Sequence, residues 1–326
     1  MRATGKELPI AALDGLMMKK EVVSKAFSAL VMMCSLLANT ASADEPLTYL
    51  ASMERSQWYI STSIFECSVV HDIPMYGQGI FYHEAGEDLY FYTQTSSSAM
   101  KAGKAALVIE ASPWRPGGVV RDLGLVDVTE TKKPLRVERV RAHDMMKGLL
   151  EGMMPTFTRK AWFSDASVRV SLNSIGFSST YDEYLECISS LLPVNFRQVE
   201  RSSVNFESDK AVLLKSDIET LDLVIMYVKA DPSVTAIYVD GHTDATGRRI
   251  YNRRLSKARA EAVTEYLTRR GINPDTIQTR YHGERYPIAG NVKPNEKAKN
   301  RRSTVRLVRG TSLSMPTKES PEGQLN

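Results

Sequence analysis

Asp244 and Arg259 are the two residues of this sequence whose types and spacing best suit specific chemistry. Asp244 ends the stretch 238–244, and Arg259 follows 15 residues later within an amphipathic run. We interpret the stretch as a strand end and the run as a helix, and Gly247 suits the tight turn that would bring the two charges together. A fixed carboxylate facing a fixed guanidinium is a receptor for a zwitterion. The alternative is that Asp244 and Arg259 pair with each other and brace the helix.

Other residues with chemical potential form weaker patterns. His242, Asp244 and His282 could be drawn as a metal-hydrolase site, but the sequence holds no H-E-x-x-H pattern to support one. The N-terminal half shows no nucleophile–His–acid pattern, and its histidines stand alone. We therefore predict a protein that is not an enzyme, with no catalytic residue, no metal and no cofactor.

The elements that must position Asp244 and Arg259 follow from hydrophobic periodicity. Strands are predicted at 204–206, 234–240, 276–282 and 303–309, and helices at 216–229 and 250–270. The order β-α-β-α-β-β predicts an α+β sandwich with helices on one face of a mixed sheet. The second helix is expected to bury Leu255, Ala258, Ala262, Tyr266 and Leu267.

Length and composition indicate an ordinary globular protein with two domains. The chain has 326 residues, of which 43% are hydrophobic and 25% charged. Its net charge is only +4, but residues 244–309 hold 17 Lys and Arg against six Asp and Glu. This uneven distribution predicts an anionic partner or an acidic neighbour for the C-terminal domain.

The N-terminus has the pattern of a secretory signal. Three lysines precede a short apolar run at 26–37, which is followed by Ala41-Ser-Ala43. Because a transmembrane helix needs about 20 apolar residues, this run predicts cleavage rather than a membrane span. We assign the signal peptide to residues 1–43, with translation starting at Met17 or Met18. The alternative is a buried N-terminal helix. Export also removes nucleic acid from the expected partners of the basic domain.

Two cysteines remain after the predicted cleavage, Cys67 and Cys187. In an oxidising compartment an isolated pair usually forms a disulfide. This bridge would close a loop of about 120 residues and would stabilise the domain by about 4–5 kcal/mol on the chain-entropy model. The alternative is a pair of reduced thiols in the core.

The region around the two cysteines, assigned as a domain at 44–197, is predicted to be mostly β with two helices. Strands are predicted at 58–65, 79–82, 89–93, 105–110 and 168–172. Helices are predicted around 144–154 and 182–192, stopped by Pro155 and Pro193. Short strands in this number indicate a small barrel-like domain or a sandwich.

Trp114 and Arg115 lie in a stretch with two prolines and two glycines, which predicts a rigid loop. An exposed Trp-Arg pair is a suitable anchor for a partner protein. Equally, Trp114 could close the open end of the barrel. The tail at 310–326 is rich in Ser, Pro, Lys and Glu and is predicted to be disordered.

Five blocks between about residues 200 and 309 resemble the OmpA-like peptidoglycan-binding domain, assigned here to 198–309. They are Val204-Asn-Phe-Glu-Ser-Asp-Lys-Ala, Gly241-His-Thr-Asp-Ala-Thr-Gly, Tyr251-Asn-Arg-Arg-Leu-Ser-Lys-Ala-Arg-Ala, Tyr281-His-Gly-Glu-Arg-Tyr-Pro-Ile-Ala and Asn300-Arg-Arg. The resemblance implies that Asp244 and Arg259 hold the diaminopimelate of the peptidoglycan peptide stem. It also implies that three residues line the same pocket (Thr243, Asn252 and Leu255) and that three lie beside it (Asn300, Arg301 and Arg302).

Blocks of the first domain resemble the flagellar MotY family. They are Gln57-Trp58, Glu66-Cys-Ser-Val-Val-His-Asp-Ile-Pro74, Pro113-Trp-Arg-Pro-Gly117, Pro155-Thr-Phe157 and Cys187-Ile-Ser-x-Leu-Leu. The resemblance implies a component of the T ring, which surrounds the flagellar basal body in the periplasm of a Gram-negative bacterium. It implies that the first domain binds the basal-body rings and a MotX-like protein, and that the ring supports the stator complex. Cys67 and Cys187 would match the family's disulfide.

Two other classes share the C-terminal module. A stator subunit of the MotB type requires a membrane helix, and none is predicted here. The remaining alternative is a general periplasmic tether that binds peptidoglycan and has no role in motility.

Overall fold

The computed structural model describes residues 45–310. The predicted signal peptide and the predicted disordered tail, apart from Gly310, lie outside the described residues. The described chain builds two hydrophobic cores, one from residues between 67 and 187 and one from residues between 194 and 307.

The N-terminal core lies between two five-stranded sheets. Their strands are β1 (Leu47–Tyr49), β2 (Trp58–Thr62), β3 (Glu66–Ile73), β4 (Gly77–Glu84), β5 (Tyr90–Gln94), β6 (Gly103–Ala111), β7 (Arg121–Val128), β8 (Arg136–Val137), β9 (Met153–Lys160) and β10 (Ser167–Ser171). The strand orders are β1-β10-β9-β6-β7 and β2-β3-β4-β5-β8. Both sheets are open, so this region is a sandwich rather than a closed barrel. Phe91 of one sheet stacks on Phe157 of the other, with ring centroids 5.7 Å apart.

Half of these strands were not predicted from the sequence, and β3 and β9 show why. Every second residue of β3 is buried, but these residues include Cys67 and His71, so apolar periodicity alone does not reveal the strand. β9 contains Pro155, which we expected to terminate a helix. Proline is rare inside sheets because it cannot donate a ladder hydrogen bond.

Both predicted helices of this region are present but begin and end earlier than expected. They are α1 (Arg139–Leu150) and α2 (Phe177–Ser190). α1 ends before Gly152, whose φ of +79° places it in the left-handed region that commonly terminates helices. Gly152, rather than Pro155, therefore marks the end of this helix.

The C-terminal core lies between a four-stranded sheet and the helices on one of its faces. In chain order its elements are α3 (Phe196–Val199), β11 (Arg201–Asn205), α4 (Lys215–Ala230), β12 (Val234–Gly241), α5 (Arg249–Arg269), β13 (Ile277–Tyr281), α6 (Pro294–Asn300) and β14 (Arg302–Arg309). The sheet order is β11-β14-β12-β13, with β12 and β13 parallel and the other pairs antiparallel. The predicted α+β mixed sheet is confirmed, and the short helices α3 and α6 were not predicted.

The buried face of α5 differs from the predicted one. Its buried residues are Asn252, Ser256, Arg259, Ala260, Val263 and Leu267. Of the five residues expected to be buried, only Leu267 is, and Ala258 is exposed. Three polar residues on consecutive helical turns occupy the buried stripe near the helix N-terminus. Apolar periodicity does not reveal this buried face, because its polar side chains are buried through specific hydrogen bonds.

The two regions contact each other around α3. Phe65, next to the start of β3, lies 5.7 Å from Tyr227 of α4 between ring centroids. The Asn195 side-chain amide donates to Glu87 Oε1 at 3.1 Å, and Arg197 Nη2 lies 2.6 Å from Glu84 Oε2. Between residues 45 and 310, no helix combines the length and apolar character needed to cross a bilayer.

Candidate functional site

The end of β12 is held against α5 by a close backbone approach at Gly241. A Cβ atom at this position would clash with the carbonyl oxygen of Ser256. The Ser256 hydroxyl accepts a hydrogen bond from the Gly283 amide at 2.9 Å, which ties the loop after β13 to the same helix. These contacts place the segment 242–244 beside the polar stripe of α5. Gly247, with a φ of +92°, makes the turn predicted from the sequence.

Asp244 is buried and is paired with Arg301. Its Oδ1 accepts the Thr246 amide at 2.9 Å, and its Oδ2 lies 3.1 Å from Arg301 Nη1. Burial alone would raise the pKa of Asp244, but the hydrogen bonds from Thr246 and Arg301 outweigh it and hold the pKa below its ordinary value. Asp244 is therefore a carboxylate at neutral pH.

Arg259 is fully buried, and its guanidinium contacts three backbone carbonyl groups. Nε donates to Lys210 O at 2.9 Å, Nη1 to His242 O at 3.0 Å and Nη2 to Glu207 O at 3.1 Å. Burial lowers the pKa of Arg259 to about 10, while the nearby Asp244 charge opposes this shift. The group therefore stays cationic at neutral pH. No hydrogen bond or ion pair joins it to Asp244 in the described chain, so the two do not form the mutual brace considered above.

Arg301 connects the acid to the strand that precedes α4. Its Nε donates to Phe206 O at 3.1 Å while its Nη1 contacts Asp244. The Arg259 guanidinium lies over the ring of Phe206, 5.2 Å from the centroid. One carboxylate and two guanidinium groups thus converge at this point, and we call Asp244, Arg259 and Arg301 the charge cluster.

The other residues predicted around the cluster have distinct positions. Asn252 donates to Asp244 O at 3.4 Å and to Glu284 Oε2 at 2.6 Å, so it lines the cluster directly. The Thr243 amide donates to Gly283 O at 2.9 Å, and its buried hydroxyl has no hydrogen-bond partner among residues 45–310. Leu255 is half-buried on the adjacent helix face.

Asn300 supports the cluster indirectly. Its Oδ1 accepts the Ile288 amide at 2.8 Å, and its Nδ2 donates to Ala289 O at 2.9 Å and to Asn291 Oδ1 at 3.0 Å. Asn291 Oδ1 in turn accepts the Ala245 amide at 3.1 Å. Asn300 therefore organises the loop that holds the residue after Asp244.

The side chain of Arg302 lies away from the charge cluster, although the OmpA-like resemblance implied that it lies beside the pocket. Its Nη2 donates to Tyr286 O at 3.2 Å, and it lines a cleft on the sheet face that lies away from α4 and α5. Arg302 begins β14, where consecutive side chains point to opposite faces of the sheet. The two adjacent arginines therefore contact different residues, Arg301 the carboxylate of Asp244 and Arg302 the carbonyl group of Tyr286.

The charge cluster is closed in this structure. The segment 207–210 lies over Arg259, because Glu207 and Lys210 supply two of its three carbonyl partners. Tyr251 on α5 donates to the side chain of Asp209, whose φ of +61° is unusual for a residue other than glycine. We call residues 207–210 the cover segment. A ligand can reach the guanidinium of Arg259 only after this segment moves.

The two histidines considered as metal ligands lie next to the cluster. His242 and His282 stack with centroids 5.1 Å apart, and His282 Nε2 lies 2.7 Å from Asp240 Oδ1. Asp244 is directed to Arg301 instead. Burial and the nearby charge of Arg302 lower the pKa of His242 to about 4. Among residues 45–310, no group of three or more His, Cys, Asp or Glu side chains is arranged to hold a metal ion.

The remaining predicted positions lie in the N-terminal sandwich. Cys67 and Cys187 form a disulfide that connects β3 to α2. Trp114 is half-buried, whereas Arg115 is exposed and donates to Glu151 O at 3.0 Å. Trp162 and Phe163 were not predicted as functional residues, yet they are 63% and 54% exposed and form an edge-to-face pair in the β9–β10 hairpin. Two adjacent aromatic residues between the polar residues Lys160 and Asp165 are the signal in the sequence that could have indicated them.

Comparison with known proteins finds a match for each of the two regions. Residues 49–193 match the model of the MotY N-terminal domain, and residues 205–301 match the model of the OmpA family. The sodium-type flagellar protein MotY of Vibrio parahaemolyticus is 29% identical over 281 residues, which cover 85% of this chain and 96% of that protein. This chain carries a MotY N-terminal domain followed by an OmpA-family domain.

Other relatives match a smaller part of this chain. The probable lipoprotein YiaD of Escherichia coli K12 is 39% identical over 106 residues, which are 32% of this chain and 48% of YiaD. The crystal structure of the peptidoglycan-associated lipoprotein from Burkholderia pseudomallei has 28% sequence identity and a TM-score of 0.31, covering 32% of this chain and 89% of that one. The MotY relative is named as a sodium-type flagellar protein.

Proposed function

We propose that this protein is a non-enzymatic component of the periplasmic ring around the flagellar basal body. Its C-terminal domain binds the peptide stem of peptidoglycan, and its N-terminal domain binds the basal-body rings and a MotX-like protein. Together these attachments support assembly of the stator complex. The single observation that carries the proposal is the combination, in one chain, of a MotY N-terminal domain with an OmpA-family domain whose charge cluster is buried and complete.

The charge cluster suits diaminopimelate because that residue carries an ammonium and a carboxylate on one carbon. Asp244 is an acceptor held as a carboxylate by its hydrogen bonds, and Arg259 is a donor that stays cationic at neutral pH although burial lowers its pKa to about 10. A planar guanidinium can bind a carboxylate through two parallel hydrogen bonds, which an ammonium of lysine cannot do. Both charges are already desolvated, so their contacts with a ligand would be stronger than contacts at an exposed surface.

Binding in this geometry requires two rearrangements. The cover segment must release the carbonyl groups of Glu207 and Lys210 from Arg259, because they occupy donors that the ligand carboxylate needs. The ligand ammonium must share or replace Arg301 at Asp244. The ligand would then substitute for contacts that the closed state makes internally, which limits the cost of burying its charges.

The test of wall binding is sedimentation of the exported protein with purified sacculi. Asp244→Asn keeps the size of the side chain but removes its charge, and we expect binding to weaken about 10- to 100-fold because a charge-assisted contact is lost. Asp222→Asn is the matched control, since Asp222 pairs with Arg270 on the outer surface of the helices. Undiminished sedimentation of Asp244→Asn would refute the assignment of the pocket.

Two exposed features of the N-terminal sandwich are candidate contacts for the MotX-like protein and the basal body. One is the loop of Trp114 and Arg115, and the other is the aromatic pair Trp162 and Phe163. Exposed Trp and Arg side chains are enriched among residues that dominate interface energies. Two double variants of the full chain test these surfaces, and each should reduce recovery of the protein with isolated basal bodies. One is Trp162→Ala with Phe163→Ala, and the other is Trp114→Ala with Arg115→Ala. If neither pair changes recovery, both candidate surfaces are wrong.

A general wall tether is the second candidate function, supported by relatives such as YiaD that match about a third of the chain. Deletion of the gene separates the two. A ring component predicts loss of motility and loss of ring density around the basal body, with normal envelope integrity. A tether predicts motile cells with a weakened envelope.

A further inference from the structure

The sheet face away from α4 and α5 carries a second polar cleft, distinct from the charge cluster. Its volume is about 400 Å³. It lies over β11 and β14, with part of β12 and the loop residue Ile288 at its margin. The polar and charged side chains that line it include Arg201, Ser203, Asp240, Arg302, Thr304 and Arg306.

The strand register arranges these side chains as a compact grid. Arg201 of β11 is directly opposite Arg306 of β14, and Ser203 is directly opposite Thr304. Arg302 comes two residues before Thr304 on β14, so it shares the same face. Directly opposite residues on neighbouring strands have Cβ atoms about 5 Å apart. A pair of hydroxyl groups is therefore flanked by an arginine pair on one side and by Arg302 on the other.

This grid is positively charged and lacks an acidic partner. Within residues 45–310, Arg201, Arg302 and Arg306 form no salt bridge. The one acid of the cleft, Asp240, is bound to Arg280 Nη2 at 2.7 Å and to His282 Nε2 at 2.7 Å. Like charges directly opposite each other on paired strands destabilise a sheet, and an anion between Arg201 and Arg306 would relieve this repulsion.

Arg302 supplies an independent indication of a ligand. It is only 5% exposed, its Nη2 is satisfied by Tyr286 O, and its Nη1 has no hydrogen-bond partner among the described residues. Burial also lowers the pKa of Arg302, which an adjacent anion would offset. A buried guanidinium nitrogen without an acceptor is uncommon in folded proteins, because an unpaired buried donor is costly.

We propose that this cleft binds a phosphate group. Three guanidinium groups and two hydroxyl groups offer more donors than the two oxygens of a carboxylate can accept, whereas a phosphate monoester has three acceptor oxygens and a charge of about −1.5 to −2. The source is either a soluble phosphate or a phosphate headgroup at a membrane surface. The proposal does not depend on peptidoglycan binding, because none of the three charge-cluster residues lines this cleft.

The experiment follows backbone amide signals of the full exported chain by NMR during titration with inorganic phosphate at constant ionic strength, with acetate as the carboxylate comparison. A second arm measures cosedimentation with phosphatidylcholine vesicles that contain or lack phosphatidic acid. The variant Arg201→Gln with Arg306→Gln removes two charges from the rim. The matched control is Arg269→Gln, at an exposed arginine of α5 that pairs with Glu265.

Saturable shifts of β11 and β14 amides with phosphate, weakened at least about tenfold in the double variant but not in the control, support the proposal. Vesicle binding that needs both phosphatidic acid and the two arginines identifies a headgroup as the source, and phosphate binding without vesicle binding identifies a soluble one. No saturable shift with phosphate and no vesicle binding would overturn the proposal. Equal affinity for acetate would overturn the choice of phosphate. Sacculus binding is measured in parallel, so a failure of one site is not mistaken for a failure of the other.

Discussion

Arg301, rather than Arg259, is the ion-pair partner of Asp244, with Arg301 Nη1 3.1 Å from Asp244 Oδ2. Arg259 instead donates to three backbone carbonyl groups and stays fully buried. The acid and the base predicted to face each other are therefore held apart by separate partners. This relationship gives Arg259 a structural role in addition to its proposed binding role, and it decides which substitutions test binding cleanly.

Replacing Arg259 is expected to destabilise the C-terminal domain. Arg259→Ala leaves the carbonyl groups of Glu207, Lys210 and His242 without their donor, and each buried unsatisfied group costs about 1–3 kcal/mol. We expect a loss of at least about 3 kcal/mol, measured by urea unfolding, with Arg259→Lys intermediate. Asp244→Asn should lower the free energy of unfolding much less than Arg259→Ala does. Unchanged stability of Arg259→Ala would show that the three contacts contribute nothing.

The hydrogen bond between Tyr251 and Asp209 is expected to hold the cover segment closed. Tyr251→Phe removes it without changing the ring, so residues 207–210 should exchange their amide hydrogens faster and affinity for a stem peptide should rise, by about tenfold at most. Tyr266→Phe is the matched control, because Tyr266 also lies on α5 and its hydroxyl donates to Asp222 of α4, away from the cover segment. Equal exchange in the two variants would contradict a latch at Tyr251.

Reduction of the disulfide is expected to affect the N-terminal sandwich selectively. Cys67 and Cys187 are 120 residues apart in sequence, so their bridge restricts a long loop of the unfolded chain. Cys67→Ser with Cys187→Ser should lower the free energy of unfolding of this region by about 4–5 kcal/mol on the chain-entropy model. Calorimetry should show that the transition of the C-terminal domain moves far less, since its core is separate. A parallel loss in both transitions would indicate that the regions unfold as one unit.

Acid is expected to weaken the N-terminal sandwich through His71. Burial lowers the pKa of His71 from 6.5 to about 4, opposed by the Gln57 carbonyl and Asp72. Because the pKa of His71 is lower in the folded chain, the unfolded chain takes up a proton at a higher pH than the folded chain does. The contribution of neutral His71 to the free energy of unfolding is therefore complete above pH 6.5 and is lost as the pH falls towards about 4. The neutral ring is required because Nε2 accepts the Asn173 amide at 3.3 Å.

The check is the urea midpoint of the N-terminal transition as a function of pH. His71→Gln should flatten the curve between pH 6.5 and about 4. His143→Gln, at an exposed histidine of α1, should leave its slope as in the unmodified protein. A His71→Gln curve as steep as that of the unmodified protein would contradict the prediction.

Local patterns explain which features could be predicted from the sequence. The order of elements around β12 and α5 follows from apolar periodicity, which acts over a few residues. The buried stripe of α5 could not be predicted in the same way, because Asn252, Ser256 and Arg259 are polar and their burial depends on partners elsewhere in the chain. Pro155 in β9 and Gly152 after α1 show a similar limit, since two competing stop signals stood three residues apart.

The sequence by itself determined the family blocks, the two cysteines available for a bridge, and the identity of the acid and the base. The tertiary structure decided which groups meet. Glu207 and Lys210 reach Arg259 from 52 and 49 residues away, and Arg301 reaches Asp244 from 57 residues away. Arg301, just before β14, contacts Asp244, whereas Arg302, the first residue of the strand, donates to Tyr286 O. Such partnerships depend on the packing of distant segments, and residue type and local spacing do not specify that packing.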